Sequence, residues 1–227
     1  AMSSFHTYSS WGRTRGSKNI LSSAEITPPT VFPPTKVMAF DGEDDFITVP
    51  HDNVFSFTDG TQNAGSDKPF SMQAWVMIED PTIDANKREG AFIAKINGNT
   101  DVEFFFGHQD GKILWNLYDD NAPNNTDEPG QGRPAKSANR IRATSGAIEP
   151  DVWNHVVVTY DGLKLANPAD KGLKIYINGV DSDVLPNKQN TYNGMVNTNL
   201  DLMIGATNNN AAAADFEKKM TNAAIFN

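Results

Sequence analysis

Two β-rich runs separated by a polar insert constrain the fold of this chain more than any other feature. The first run, over residues 152–160, reads VWNHVVVTY, and the second, over residues 171–180, reads KGLKIYINGV. In Leu173–Ile177 every second residue is aliphatic, which places the aliphatic side chains on one face of a sheet and the polar ones on the other. Asn178-Gly179 then supplies a tight turn, because both residues tolerate positive φ. The pattern predicts an antiparallel hairpin followed by a second tight turn.

Short strands and tight turns continue through most of the chain. Phe70–Ile78 alternates in the same way and places Trp75 on the face opposite its aliphatic residues. Asn97-Gly98 and Asp110-Gly111 separate further β-rich runs, and no helical pattern or internal repeat stands out. The sequence therefore predicts an all-β fold, an antiparallel two-sheet β-sandwich of about a dozen strands. Besides the hairpin, we expect two short runs in residues 37–50 around Asp41-Gly42, and strands in residues 70–78, 91–96, 102–106, 112–118, 140–144 and 220–226, with a further β-rich stretch in residues 196–205 that ends in LMIG.

The charge of the chain narrows the range of partners. The 227 residues carry a net charge of −9 and include no cysteine, so no disulfide framework supports the fold. An acidic surface is unsuited to phosphate binding, and we therefore expect no nucleic-acid partner.

No apolar run approaches the roughly 20 residues that a membrane-spanning helix needs, so we expect no membrane insertion.

Residues 1–36 differ from the rest of the chain. They lack periodicity, carry a net charge of +3 and include three spaced aromatic residues, Phe5, Tyr8 and Trp11. Paired prolines in TPPTVFPPT favour extended polyproline geometry and exclude a helix. We interpret residues 1–36 as an N-terminal arm or linker and residues 37–227 as the folded domain. The arm either docks on a neighbouring subunit, or lies on its own domain or is disordered.

Six sequence blocks, taken in order, resemble one known family. They are AFDGEDDFITVP, FSMQAWV, FIAKING, the hairpin described above, LMIGATNN and the final MTNAAIFN. Together they cover residues 37–227 and resemble the laminin-G-like jelly rolls of the concanavalin A-like lectin and glucanase superfamily. The resemblance implies that the first and last strands of the domain pair with each other, and it implies little about the ligand.

The resemblance also implies a structural calcium site, because relatives often bind Ca²⁺ beside the paired terminal strands. Calcium takes six to eight hard oxygen ligands. The residues at the matching positions are Asp41, Gly42 (through its backbone), Asp44, Asp45 and Asn222. Asn222 stands where relatives usually have Asp, and the loss of that carboxylate weakens the expected site. In the alternative interpretation Asp41 caps the backbone amides of a turn and no metal binds.

Catalytic patterns are missing from the sequence. Glucanases of this fold place three carboxylates on one strand face, where two of them flank a glycosidic bond. Here Asp101 and Glu103 share a face but no third carboxylate follows, so we expect them to serve the structure. No nucleophile elbow occurs, and His155 lies inside a strand, as packed and hydrogen-bonded histidines do. We predict that the chain is not an enzyme.

Aromatic and amide side chains near the long polar insert, residues 119–139, are the candidates for carbohydrate binding. Sugars are recognised by exposed aromatic rings beside amides and carboxylates, and long polar loops are often functional. A second, weaker group comprises Tyr192 and Asn193. Trp115 alternates with Leu117, so the alternative is that Trp115 belongs to the core. The candidates are Trp115, Asn116, Tyr118, Asp119, Asp120, Asn121 and Tyr192.

Two functions remain open at this stage. The first is a non-catalytic extracellular binding module that recognises a glycan or a protein partner at a cell or particle surface; it rests partly on the resemblance. The alternative is a structural or decoration protein of a virion or surface assembly, in which residues 1–36 grip a neighbouring subunit. Both interpretations place the protein outside the cell or on an exposed surface.

Overall fold

The computed structural model describes residues 36–58, 67–80, 89–97, 101–119, 140–163, 172–182, 187–189, 192–207 and 216–227. They belong to a compact unit that spans Pro34–Asn227. A single 3₁₀ turn, Asn53–Phe55, is the one helical element of these residues. Their strands are β1 (Met38–Asp41), β2 (Ile47–Val49), β3 (Phe70–Met77), β4 (Glu89–Asn97), β5 (Asp101–Gln109), β6 (Lys112–Tyr118), β7 (Arg140–Ala147), β8 (Asn154–Tyr160), β9 (Leu173–Ile177), β10 (Val180–Asp181), β11 (Asn187–Gln189), β12 (Leu202–Ile204) and β13 (Glu217–Phe226).

The strands form two sheets. The six-stranded sheet has the order β1-β13-β3-β8-β9-β10, and the seven-stranded sheet has the order β11-β7-β6-β5-β4-β12-β2. Every described pairing is antiparallel. One hydrophobic cluster contains side chains from both sheets, so the sheets pack face to face. The predicted all-β, antiparallel two-sheet sandwich is confirmed.

The hairpin predicted for residues 152–180 is present. In β8 and β9, Val158 lies opposite Ile175, and both side chains are fully buried. Asn178 and Gly179 have φ values of 52° and 81°, the left-handed conformations that a two-residue turn between antiparallel strands requires. The chain then returns as β10, in which Val180 lies opposite Ile177. Residues 164–171, between β8 and β9, lie outside the described part.

Aromatic rings form the centre of the core between the sheets. In β3, the alternate residues from Phe70 to Val76 are buried and the intervening ones are half-buried, as the sequence predicted. Phe70 stacks on Phe57 with ring centroids 3.9 Å apart, and the edge of Trp115 meets Phe70 at 5.5 Å. Burying one such ring contributes about 1.5–3 kcal/mol, so this cluster holds the two sheets together.

The first and last strands of the domain pair, as the resemblance implied. In β1 and β13, Met38 lies opposite Met220 and Asp41 lies opposite Glu217. The other side of β13 pairs with β3, and the register shifts between Thr221 and Ala224. Asn222 lies in this bulge with a φ of 51°. The bulge changes which face the later residues of β13 present.

The N-terminal arm and a membrane-spanning helix were also subjects of predictions. Except for Lys36, the arm of residues 1–36 lies outside the described part, so its boundary with the domain stays a prediction. Within the described ranges, no helix is both long enough and apolar enough to cross a lipid bilayer.

Candidate functional site

Polar and aromatic side chains collect on the face of the seven-stranded sheet that points away from the other sheet. We call this the outer face. The register places Ala94, Phe105, Asn116 and Arg142 in one row across β4, β5, β6 and β7. Their neighbours in each strand point into the core between the sheets, so these four side chains point outward. A second hydrophobic cluster occupies the outer face and contains Ala91, Ala94, Ile96, Val102, Phe105, Leu114 and Tyr118.

A glycine shapes the apolar part of the outer face. Gly107 lies two residues after Phe105, on the same face of β5. A Cβ atom at position 107 would come within 2.6 Å of the Phe105 ring and 2.2 Å of the Gly90 carbonyl oxygen. The absence of a side chain there therefore lets the Phe105 ring lie over the backbone of its own strand.

Hydrogen bonds fix several polar side chains of the outer face. Asn116 Nδ2 donates to the Tyr118 hydroxyl at 3.1 Å. Arg142 Nη2 donates to Gln109 Oε1 at 3.2 Å, and Gln109 Nε2 donates to Glu89 Oε2 at 3.2 Å. Side chains held in this way lose little further freedom when a ligand binds, which favours affinity.

Some buried polar atoms of the outer face have no hydrogen-bond partner within the described part of the chain. Asn116 is 0% exposed and Arg140 is 6% exposed, yet neither Asn116 Oδ1 nor Arg140 Nε has a hydrogen-bond partner within the described part of the chain. Leaving a buried donor or acceptor unsatisfied costs about 1–3 kcal/mol, and more for a charged group. A donor for Asn116 and an acceptor for Arg140, supplied by water or by a ligand, would remove this cost.

Three of the predicted ligand-binding aromatics are not exposed. Trp115 points into the core between the sheets, packed against Phe70 and Phe106, and has 0% of its surface exposed. Tyr192 is also buried, and its hydroxyl donates to Asp67 Oδ2 at 2.8 Å. Trp115 therefore belongs to the core, which was the alternative interpretation, and neither ring is exposed as stacking on a sugar requires. Tyr118 is buried as well, but it lies on the outer face.

The two predicted groups of ligand-binding residues do meet. The backbone amide of Asn193 donates to Asp119 Oδ2 at 2.6 Å, and the amide of Val196 donates to the Tyr118 carbonyl at 3.0 Å. The segment that follows Tyr192 is thereby tied to the end of β6. Asp120 and Asn121 lie outside the described residues, and their binding role stays a prediction.

Arg140 and Arg142 also lie on the outer face, and the sequence did not single them out as candidates. They alternate with Ile141 and Ala143 at the start of β7, and both intervening residues are buried in the core. This alternation is visible in the sequence RIRA and places both guanidinium groups on the face opposite the core.

The predicted calcium ligands are only partly brought together. Oxygen atoms of Asp41, Asp44 and Asp45 lie within 4.8 Å of one another, and all three side chains are exposed. Asp41 Oδ1 accepts the amides of Glu43 at 2.9 Å and of Asp44 at 3.3 Å, which is the turn-capping role considered as the alternative. Gly42, with a φ of 74°, allows this turn.

Asn222 does not belong to that cluster. The register places Glu217, rather than Asn222, opposite Asp41. Asn222 lies two residues beyond Met220, which pairs with Met38 at the opposite end of β1 from Asp41. The prediction that Asn222 shares a site with Asp41 is therefore wrong.

The residues weighed for catalysis have structural contacts. Glu103 is buried and forms an ion pair with Lys95 at 2.8 Å, whereas the side chain of Asp101 lies outside the described part. His155 stacks on Trp75 with ring centroids 4.8 Å apart, and burial lowers its pKa. Its Nε2 lies 3.3 Å from Gln73 Oε1. The expected structural roles of Glu103 and His155 agree with these contacts.

Comparison with known proteins supports the fold assignment. The family described as the concanavalin A-like lectin/glucanases superfamily matches residues 41–227. No curated protein sequence matches the chain. Among solved structures, the chain is similar to the binding domain of botulinum neurotoxin serotype G (16% identity, TM-score 0.50, 85% of this chain and 41% of that one).

Two further solved structures resemble the chain to a similar degree. The receptor binding domain of botulinum neurotoxin D is 17% identical, with a TM-score of 0.50, over 85% of this chain and 43% of that one. The CBM40 of a Ruminococcus gnavus IT-sialidase, bound to α2,3 sialyllactose, is 13% identical, with a TM-score of 0.48, over 84% of this chain and 91% of that one. The chain thus spans less than half the length of the two toxin domains.

Proposed function

Because the chain belongs to the concanavalin A-like lectin/glucanases superfamily, we propose that it is a non-catalytic binding module. The partner is a glycan or a protein at a cell or particle surface, and the binding site is the outer face of the seven-stranded sheet. The protein would act outside the cell. Fold alone does not determine function, so the proposal rests on the residues of this face.

The unsatisfied polar atoms on the outer face are the observation that carries this proposal. Native proteins pair nearly all of their buried polar groups, and exceptions often mark functional sites. Here Asn116 Oδ1 and Arg140 Nε are exceptions on the same face, beside the rings of Phe105 and Tyr118. A few polar groups converging beside aromatic side chains are typical of small-molecule binding sites.

The similar solved structures are compatible with the proposal. Both botulinum neurotoxin structures are binding domains, and the other similar structure is a carbohydrate-binding module. At identities of 13–17% the likeness extends to the fold and leaves the partner of this chain open.

A binding screen with matched variants tests the proposal. The wild-type protein is applied to a glycan array and to a panel of intact cells, together with Asn116→Ala on the outer face. Gln73→Ala, on the exposed side of the six-stranded sheet, is the control. We expect wild type and Gln73→Ala to bind and Asn116→Ala to bind at least tenfold more weakly. Equal binding by all three proteins, with melting temperatures unchanged, would place the site elsewhere.

One observation favours the second candidate function, a structural protein of a virion or surface assembly. Strand β2 lies at the edge of the seven-stranded sheet, and the side chains of Phe46, Ile47 and Val54 around it are exposed. Edge strands with apolar side chains tend to pair with another chain. Light scattering tests this second function. The wild-type protein should form an oligomer, and either Ile47→Lys or deletion of residues 1–36 should abolish it. A wild-type protein that is monomeric at high concentration would remove its basis.

A further inference from the structure

We propose that a pocket on the exposed side of the six-stranded sheet binds a neutral sugar ring. The pocket has a volume of about 370 Å³ and is lined by residues of β3, β8 and the end of β13, with Pro69 just before β3. It lies on the opposite side of the sandwich from the outer face, so this inference goes beyond the proposed function and does not depend on it. Small-molecule pockets start at roughly 300 Å³, so the volume suits a ligand of one or two rings.

Three side chains form one row across adjacent strands in this pocket. Phe226 of β13 lies opposite Ser71 of β3, and Ser71 lies opposite Thr159 of β8. Residues directly opposite one another share a sheet face, with Cβ atoms about 5 Å apart. Met72, which follows Ser71 in β3, is buried in the core, so the row points away from the core. A phenyl ring therefore stands beside two hydroxyl groups.

The groups of this row are available to a ligand. Phe226 is 52% exposed, and its ring stacks on none of the described aromatic residues. Ser71 and Thr159 are half-buried, and within the described part of the chain neither hydroxyl has a hydrogen-bond partner. A ligand at the pocket thus meets an exposed ring and two hydroxyls that have no competing contact.

An exposed ring beside free hydroxyls selects an amphipathic ligand. The Phe226 ring offers apolar area to a ligand face made of C–H groups. Each hydroxyl can donate one hydrogen bond and accept others. A wholly apolar ligand would bury both hydroxyls without partners, which is costly, and a hydrated ion would leave the ring uncovered. A pyranose sugar has a C–H face and a rim of hydroxyl groups, so it matches both parts of the pocket.

Charge favours a neutral sugar over an acidic one. None of the residues that line the pocket has a charged side chain. The next side chain in the row is Lys174, which lies opposite Thr159 and forms an ion pair with Asp181 at 2.8 Å. The chain as a whole has a net charge of −9. An anionic ligand would therefore find no cation among the lining side chains and would be repelled by the surrounding field.

The floor of the pocket is rigid, but the size of the ligand limits the affinity. Strand β3 lies between β13 and β8 and is paired on both sides, so the floor needs little ordering when a ligand binds. A single sugar ring has about a dozen non-hydrogen atoms, for which ordinary ligand efficiencies imply a dissociation constant of about 1 mM. We therefore expect free sugars to bind at millimolar concentrations.

Ligand-observed NMR tests the pocket. Saturation-transfer difference spectra of the full chain are recorded with the methyl glycosides of glucose, galactose, mannose and N-acetylglucosamine, and with phenol and glucuronic acid for comparison. We expect at least one neutral glycoside to receive saturation, mostly on its C–H face. Phe226→Ala should weaken its binding about fivefold or more, because the stacking surface is lost. The double variant Ser71→Ala/Thr159→Val should also bind more weakly. Because the Phe226 ring is at the surface, Phe226→Ala should keep a melting temperature near that of wild type.

Two control variants separate this pocket from other surfaces. Gln73→Ala, on the same side of β3 but outside the pocket, and Asn116→Ala, on the outer face, should bind the neutral glycoside like wild type. If phenol or glucuronic acid binds as well as the best neutral glycoside, the inference fails. It also fails if Phe226→Ala binds like wild type, or if Asn116→Ala loses the signal, which would place the sugar on the outer face. No signal from any glycoside with the wild-type protein would overturn it as well.

Discussion

A buried ion pair between β4 and β5 offers the sharpest test of the structure. Lys95 Nζ lies 2.8 Å from Glu103 Oε2, and both side chains are 0% exposed. Lys95 Nζ also donates to Ser56 Oγ at 3.0 Å and to the Thr198 carbonyl at 3.3 Å. Glu103 Oε2 accepts the Thr198 amide at 3.1 Å and its hydroxyl at 2.9 Å. The pair thus connects β4 and β5 with the segments that contain Ser56 and Thr198.

Removing either partner should strongly destabilise the protein. Lys95→Met leaves Glu103 without a cation, and Glu103→Met leaves Lys95 without an anion; an uncompensated buried charge costs about 3–5 kcal/mol. The double variant Lys95→Met/Glu103→Met removes both charges. Because apolar replacements of a buried pair are often neutral or stabilising, we expect the double variant to be far more stable than the sum of the single changes predicts.

The pH dependence of the Lys95→Met variant adds a second expected result. Burial raises the pKa of Glu103 even in the presence of Lys95, and removal of Lys95 should raise the pKa further. A carboxyl group whose pKa is higher in the folded state stabilises that state at low pH, and the stabilisation is lost as the pH rises through the folded pKa. Lys95→Met should therefore be less destabilised at pH 5 than at pH 8.

Urea unfolding followed by tryptophan fluorescence measures these effects. The four proteins of the cycle are compared at pH 8 and pH 5, and the dependence of the unfolding free energy on urea should be unchanged if the fold is kept. Single-variant costs below about 1 kcal/mol, or strictly additive effects in the double variant, would refute the conclusion that this pair is buried and mutually dependent.

Three further predictions concern His108, the glycines at positions 179 and 205, and calcium at the acidic turn. Burial lowers the pKa of His108 to about 4, whereas the same side chain in the unfolded chain is protonated near pH 6.5. Protonation at falling pH therefore favours the unfolded chain, and the free energy of unfolding should decrease by about 3 kcal/mol from pH 6.5 to pH 4. His108→Gln should flatten this slope in urea titrations, and an unchanged slope would contradict the assignment. Gly205→Ala should cost about 3 kcal/mol or more, because φ is 89° and the added Cβ would lie 2.3 Å from a phenyl ring. Gly179→Ala, with a φ of 81° and no atom within 4 Å of the Cβ, should cost about 1 kcal/mol; similar losses for both would contradict the predicted clash. If calcium binds at the acidic turn, 1 mM Ca²⁺ should raise the melting temperature above that in chelator, and Asp44→Asn should abolish the shift while Asn222→Ala retains it. No shift in wild type would count against the metal.

The sequence predicted best those strands that have one covered face. In β3 and in the β8–β9 hairpin, buried and half-buried residues alternate, so the polar and apolar positions are distinct. The turns were equally clear, because Asp110, Asn178 and the glycines that follow them adopt positive φ. These signals are local and need no knowledge of the rest of the fold.

Strands covered on both faces gave a weaker signal. In β6 the six residues that follow Lys112 are all buried, so the sequence offered no contrast between the faces and the orientation of Trp115 was left open. Contacts between distant segments were equally hidden. The Asp67 carboxylate accepts the hydroxyls of Tyr160 and Tyr192 and the amide of Met195, residues more than 90 positions away, and no local pattern announces such a site.

The position of β13 between β1 and β3 has a consequence for biosynthesis. Until residues 217–226 have left the ribosome, β1 has no partner in its sheet and one edge of β3 stays open. The nascent domain therefore carries two unpaired edges through most of its translation, and such edges recruit other chains. Its final ten-residue strand closes both at once, so we expect stalled or truncated products to depend on chaperones far more than the finished protein does.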